Sequence, residues 1–166
     1  MWKNRRRAVM IIQELQGNIW EIPGNNHIVI TTNGTVKTNG ECVMGRGIAA
    51  QAKNFFPEVP KIVGSTLKKA GLIPFYIGKE TNPLTNQTVN LWSFPVKYRW
   101  YEEADLNLIV KAMKIFVVLM YNSKGKILIP RPGCGNGRLG WVVVKKELEK
   151  IPCPKELNDK IYFCSY

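Results

Sequence analysis

The sequence predicts an α/β sandwich built around a largely parallel sheet. Three observations carry this. Strand-like and helix-like segments alternate along the chain, the broadest helical pattern (Ala104 to Tyr121) lies between two strand-like runs, and two glycine-rich segments each follow a strand and open into a helix.

Taken in order, Ala8 to Gln13 is a β-branched and apolar run that reads as a first strand. His27 to Thr32 (HIVITT) is a second, bounded by the turn signals Gly24-Asn25-Asn26 and Asn33-Gly34. Ile48 to Phe56 reads as a short helix stopped by Pro57. Val59, Ile62, Val63, Leu67 and Ala70 recur at helical spacing until Gly71 ends that helix. Ile73 to Ile77 and Val89 to Phe94 are strand-like, with a polar turn at Thr81-Asn82-Pro83. Leu108, Ile109, Ala112, Ile115, Phe116 and Leu119 give the 104–121 helix a broad apolar face. Ile127 to Ile129 is a short buried strand, Trp141 to Leu148 a helix, and Ile161 to Cys164 a last strand.

The 166 residues suit one domain, expected over 8–166 behind a basic tail at 1–7. Apolar residues at 45% argue against disorder. Lys and Arg number 24 against 12 Asp and Glu, a net charge of +12 that favours an anionic partner and disfavours a calcium module. Cys42, Cys134, Cys153 and Cys164 form no Cys-x-x-Cys pair and share the chain with a single histidine, His27, which argues against structural zinc. Unpaired cysteines fit a reducing, cytoplasmic setting. Nothing reaches the ~18 apolar residues of a membrane span, and the run Ala8 to Ile12 is too short for a signal-peptide core.

The two glycine segments are the most informative. The first is Gly40-Glu41-Cys42-Val43-Met44-Gly45-Arg46-Gly47-Ile48, and the second runs from Pro130 through Gly133-Cys134-Gly135-Asn136-Gly137-Arg138 to Leu139. Their free N–H groups, together with a helix N-terminus, form a cradle for an anion, so the pair can clasp a diphosphate from two sides. Neither fits a Walker A loop or G-x-G-x-x-G.

These residues resemble those of macrodomains. Val43-Met44-Gly45-Arg46-Gly47-Ile48-Ala49, with Lys53 and Phe56-Pro57 after it, is similar to the family's first ligand loop. Pro132 to Leu139 with Trp141 is similar to its second, and Gly17-Asn18-Ile19 resembles its Gly-Asp-[Ile/Leu]. The likeness spans roughly Val9 to Leu148. It implies a three-layer α/β/α fold with a mixed, largely parallel central sheet, and ADP-ribose as ligand. By this resemblance Asn18 meets the adenine where the family usually has Asp, and Ile19 offers the ring a backbone N–H. Gly45, Arg46, Gly47 and Ile48 line the diphosphate and distal ribose, and Gly133, Cys134, Gly135, Asn136, Gly137 and Arg138 close the other side. The asparagine facing the distal ribose is Asn39 by spacing to Gly45, or Asn33 by closeness to the second strand, with Asn39 preferred.

Phe94-Pro95-Val96-Lys97-Tyr98-Arg99-Trp100 resembles a segment of the branch that includes the terminal ADP-ribose glycohydrolase of animals. It resembles more closely the antitoxin macrodomains that remove ADP-ribose from thymidine bases in DNA. The resemblance makes Lys97 catalytic. A lysine at the anomeric carbon attacks the opened sugar or polarises the scissile bond, aided by a pKa lowered by burial or by a nearby cation such as Arg99. The chain departs from the branch in its acids. The animal enzyme's second-loop aspartate falls on Gly137, and the acid that precedes the tryptophan in antitoxins falls on Gly140. Glu102, Glu103 and Asp105 are the candidate substitutes.

Residues 106–146 hold eight basic residues and no acid, and with Lys3 and Arg5 to Arg7 they suit contact with a nucleic acid. Tyr98, Trp100 and Tyr101 offer rings for base stacking. The expectation is a monomeric, cofactor-free hydrolase of ADP-ribosyl linkages acting on ADP-ribose carried by nucleic acid. An ADP-ribose 1″-phosphate phosphatase and a non-catalytic ADP-ribose reader are the alternatives.

Overall fold

The computed structural model describes residues 8–166, so the basic tail at 1–7 lies outside the described residues. Six strands form one sheet: β1 (Glu14–Gln16), β2 (His27–Asn33), β3 (Phe75–Thr81), β4 (Thr88–Lys97), β5 (Ile127–Pro130) and β6 (Ile161–Ser165). Their order across the sheet is β1-β6-β5-β2-β4-β3. Every pairing is parallel except that of β3 with β4, which places the one antiparallel strand at an edge. The mixed, largely parallel sheet is therefore as expected.

The helices are α1 (Gly47–Phe55), α2 (Val59–Ala70), α3 (Leu106–Met120), α4 (Trp141–Leu148) and α5 (Lys155–Asn158). The chain leaves β2 through α1 and α2 toward β3 and β4, then crosses back through α3 to β5 on the other side of β2. Right-handed crossovers in opposite directions cover opposite faces of the sheet. The core divides accordingly. Ile28, Ile30, Leu91 and Leu128 pack with Ala52, Val59, Val63 and Leu67 of α1 and α2. Val29, Phe94, Ile127 and Ile129 pack with Ile109, Met113 and Phe116 of α3 and Val144 and Leu148 of α4. Consecutive strand residues belong to different layers because side chains alternate across a pleat.

One strand sits elsewhere than expected. Ala8 to Gln13 is not in the sheet, and β1 begins only at Glu14. The N–H of Met10 donates to the Ile151 carbonyl, that of Ile11 to Asn158 Oδ1, and that of Cys153 to the Ala8 carbonyl. The segment is extended, as its composition suggests, but up to Ile11 loops and a buried asparagine side chain satisfy its backbone, and only at Gln13, whose carbonyl accepts from Phe163 N of β6 at 2.8 Å, does the chain meet the sheet.

Candidate functional site

Parallel sheets bind ligands beyond the carboxyl ends of their strands, where the strand order reverses. Here that point is β2, flanked by β4 and β5. A cavity of about 630 Å³ opens there, within the size range of sites for small ligands. The ends of three strands form its floor: Thr31 to Asn33 of β2, Val96 and Lys97 of β4, and Pro130 of β5.

Local irregularity shapes this floor. Thr32 pairs with Pro95 but Asn33 pairs with Lys97, so Val96 is an extra residue in a bulge of β4. Bulges re-aim side chains and are common beside binding sites. Pro95, which has no N–H, is tolerated because the pairing of β3 with β4 reaches only Ser93.

Both glycine loops reach the cavity. Gly45 to Ile48 line one wall, and Gly133, Gly135, Asn136 and Gly137 line the opposite one. Arg46 is the N-cap of α1 without a side-chain cap bond, so the first N–H groups of that helix stay free for an anion. Gly47 has φ 57°, a conformation glycine adopts without strain, and it sits against the second loop, where a Cβ would reach van der Waals contact with Asn136 Nδ2 at 3.4 Å.

Lys97 sits between the loops and donates from Nζ to the Asn136 carbonyl 3.3 Å away. Partial burial holds its pKa below the ordinary lysine value, and the charges of Arg46 and Arg138 lower it further. Arg99, the cation expected for that role, instead donates to Tyr101 Oη at 3.0 Å. Lys37, Arg46, Lys97 and Arg131 all line the cavity, and no carboxylate does among the described residues. Asp105 is spent as the N-cap of α3, accepting from Leu108 N at 2.9 Å, and neither Glu102 nor Glu103 reaches the lining.

The two asparagines separate clearly. Asn33 lines the cavity, donates to the Val43 carbonyl at 2.9 Å and accepts from Thr35 N at 2.9 Å. Asn39 is exposed, outside the lining, and caps a turn by accepting from Glu41 N. Asn18 and Ile19 also stand outside the lining. Asn18 Oδ1 accepts from Trp20 N at 3.0 Å at the start of a 3-10 turn over Ile19–Glu21, and Ile19 is buried. Cys134 and Arg138 belong to the second loop without lining the cavity themselves.

Sequence reasoning missed Glu14. From β1 it accepts hydrogen bonds from Trp141 Nε1 (2.8 Å) and Arg131 (3.0 Å) and pairs with Lys145 (3.3 Å). These partners, Trp141 first, hold its carboxyl below the usual range. The Arg131 guanidinium also stacks over the Trp141 ring at 5.1 Å. Glu14 thereby fixes a cavity-lining cation from outside the cavity. Only the adjacency of β1, β6 and β5 brings these residues together, and no sequence spacing announces it.

No family model matches the chain. Two curated relatives do. One, from Thermosipho africanus, is named a DNA ADP-ribosyl transferase–DNA ADP-ribosyl glycohydrolase fusion protein and is 26% identical over 77% of this chain. The other, a DNA ADP-ribosyl glycohydrolase of Thermus aquaticus, is 28% identical over 84% of it. The matches span 37% of each relative's length. Among solved structures, the macrodomain of Thermus aquaticus DarG superposes with a TM-score of 0.67 at 24% identity, covering 94% of this chain and 97% of that one. The macrodomain of Mycobacterium tuberculosis DarG gives 0.63 at 23% identity, covering 94% and 99%. Sheet order, the two loops at the switch point and these superpositions agree, and the chain has the macrodomain fold.

Proposed function

We propose that this macrodomain binds ADP-ribose between its two glycine loops and hydrolyses the bond joining it to a nucleic-acid base. The observation that carries the reading is Lys97: an amine with a lowered pKa, held against the Asn136 carbonyl in a cavity lined by cations. The curated relatives bear the name of that reaction, and one is fused to a DNA ADP-ribosyl transferase. A transferase of that kind would supply the substrate.

In this reading the diphosphate lies on the free N–H groups of α1 and the second loop, with Arg46 and Arg131 offsetting its charge. Asn33 faces the distal ribose in preference to Asn39, because only Asn33 lines the cavity. Asn18 and Ile19 take the adenine end. The Asn18 amide oxygen keeps one lone pair for the exocyclic amine after accepting from Trp20 N. The free Lys97 amine attacks the anomeric carbon of the distal ribose, a carbon–nitrogen bond to lysine forms as the bond to the base breaks, and the base departs with that electron pair and takes up the proton the amine gives up. Water then releases ADP-ribose and frees the amine. No carboxylate lines the cavity among the described residues, and partial burial, with the Arg46 and Arg138 charges, raises the share of Lys97 present as the nucleophilic free amine. The four cysteines are free, three of them buried, which suits a reducing cytoplasm. The domain acts as a monomer.

The direct test is release of ADP-ribose from an ADP-ribosylated thymidine oligonucleotide by the wild type and by Lys97→Ala. Release by the wild type and loss in the variant are expected. Equal release by both defeats the catalytic assignment. Binding of free ADP-ribose without turnover leaves a reader, and phosphate release from ADP-ribose 1″-phosphate would favour the phosphatase.

A further inference from the structure

We infer that Glu14 is a positioning residue: its carboxylate ties the two ends of the second glycine loop together and holds that loop ready-formed over the cavity. The clasp follows from the geometry alone, and its consequence for ADP-ribose rests on the reading of the cavity given above.

The loop spans residues 131–140, and four of these ten residues are glycine. Such a segment loses much backbone freedom on ordering, so its fixed shape needs support. Its own bonds are local turns: Cys134 N donates to the Arg131 carbonyl (3.2 Å), Leu139 N to the Gly133 carbonyl (2.9 Å) and Arg138 N to the Gly135 carbonyl (3.0 Å). Its middle meets the rest of the domain where Ala104 N donates to the Gly137 carbonyl (2.9 Å) and Lys97 Nζ to the Asn136 carbonyl (3.3 Å).

The two ends meet at Glu14. Arg131 follows β5 and Trp141 opens α4, and both reach the same oxygen, Oε1 of Glu14, at 3.0 and 2.8 Å. Lys145, one turn further along α4, reaches Oε2 at 3.3 Å. Glu14 is placed for this by register. It pairs with Phe163 of β6, which pairs with Ile129 of β5, so the three form a row across the sheet. Phe163 and Ile129 pack into the layer that contains α4, and residues in one row share a face. The Trp141 ring lies 5.5 Å from that of Phe163 and carries the Arg131 guanidinium at 5.1 Å.

Nothing else among the described residues does the same work. Arg131 and Lys145 pair with no other acid, Arg131 Nε is buried without a partner, and α4 begins at Gly140 with no side-chain cap. An isolated surface ion pair adds little, but one carboxylate shared by three donors is a network. Its removal leaves two cations as unshielded neighbours at opposite ends of the loop.

The test is amide hydrogen exchange read by NMR on the ligand-free wild type, Glu14→Ala and Glu14→Gln. Glu14→Ala should speed exchange at Cys134, Arg138 and Leu139 by about tenfold or more while leaving the amides of β2 unchanged. Glu14→Gln keeps an oxygen for Trp141 but no charge for Arg131 and Lys145, so it should restore part of the protection at most. Calorimetry with ADP-ribose should then show about tenfold weaker binding by Glu14→Ala, although Glu14 lies outside the cavity lining. Unchanged exchange in the loop, an equal rise in β2, full protection in Glu14→Gln, or undiminished ADP-ribose affinity in Glu14→Ala would overturn the inference. Loop amides that loosen only in the variants, in a protein whose wild type gives no heat with ADP-ribose, would defeat the ADP-ribose reading and leave the clasp standing.

Discussion

Asn33 and Lys97 face each other as ladder partners across β2 and β4, and they do so because a one-residue bulge at Val96 shifts the register after Thr32 and Pro95. The bulge makes two cavity-lining residues, Asn33 and Lys97, ladder partners, while the Asn136 carbonyl approaches the Lys97 amine from the second loop at 3.3 Å. Three segments distant in sequence thus converge on one point, and each can be tested separately.

The amine can be tested through its pH dependence. In the proposed reaction Lys97 acts as the free base, so the turnover rate at saturating substrate should climb with pH and level off above its pKa, which lies below the usual lysine value. Arg46→Ala removes one of the charges that lower this pKa, so the rising limb should move to higher pH. Lys97→Ala should lose about 10²-fold or more in rate. A limb unmoved in Arg46→Ala would mean that the titrating group is not Lys97.

Asn33 and Asn39 make a paired comparison. Asn33→Ala removes one donor to Val43 and one acceptor for Thr35 from the cavity wall. It should weaken ADP-ribose binding measured by calorimetry by about tenfold, the equivalent of one well-placed hydrogen bond. Asn39→Ala, on an exposed turn, should change it less than twofold.

The second loop excludes side chains at one glycine and admits them at another. A Cβ at Gly137 would stand 2.5 Å from the Gly133 carbonyl oxygen and 2.7 Å from Ala104 Cβ. Gly137→Ala should therefore cost ~1–3 kcal/mol, lowering the melting temperature by about 2–4 °C per kcal/mol, and Gly137→Asp at least as much. The position that carries an aspartate in the animal enzyme is thus closed to one here. Gly140 meets nothing within 4 Å and begins α4 without a side-chain cap. Gly140→Ser should leave the melting temperature unchanged or raise it, by ~0.5–1 kcal/mol of stability.

His27 gives the stability its acid dependence. Its Nδ1 accepts from Trp92 Nε1 at 3.0 Å, so the proton of the neutral ring is on Nε2, which donates to the Lys124 carbonyl at 2.9 Å. Burial, seconded by the Lys160 charge, outweighs that carbonyl contact and lowers the pKa. The unfolded chain, with a histidine pKa of ~6.5, binds the proton more readily than the folded one. Stability is therefore complete above about pH 6.5 and falls as pH drops from there toward the folded-state pKa. Urea titrations at pH 7.5 and 5.5 should show this fall, and His27→Gln should remove it. Glu14 acts in a separate, lower window. Its folded pKa is depressed, so its contribution is lost only as pH falls below the ordinary carboxylate range.

Features that depend on local pattern are legible along the chain. The helical spacing of α3, the runs of β2 and β5, and glycines placed between strand and helix specify an α/β sheet with two glycine loops at strand ends, since backbone conformation and amphipathic period are properties of neighbouring residues. Tertiary structure decided what depends on register and on which strands are adjacent. It left Ala8 to Gln13 out of the strand, because the Ile151 carbonyl and Asn158 take the backbone of Met10 and Ile11, and contact with β6 begins only at the Gln13 carbonyl. It brought Asn33 to the cavity at the end of β2 and left Asn39 outside on an exposed turn, and a bulge at Val96 that no spacing rule foresees set Lys97 opposite Asn33. It made Arg46 and Arg138, not Arg99, the neighbours that lower the Lys97 pKa. It also spread the acid-free basic stretch of residues 106–146 over two helices, a strand and two loops, committing Arg131 and Lys145 to Glu14. Charge counts along a chain are one-dimensional, whereas pairing energies depend on distances across the sheet, and those are set only when the chain has folded.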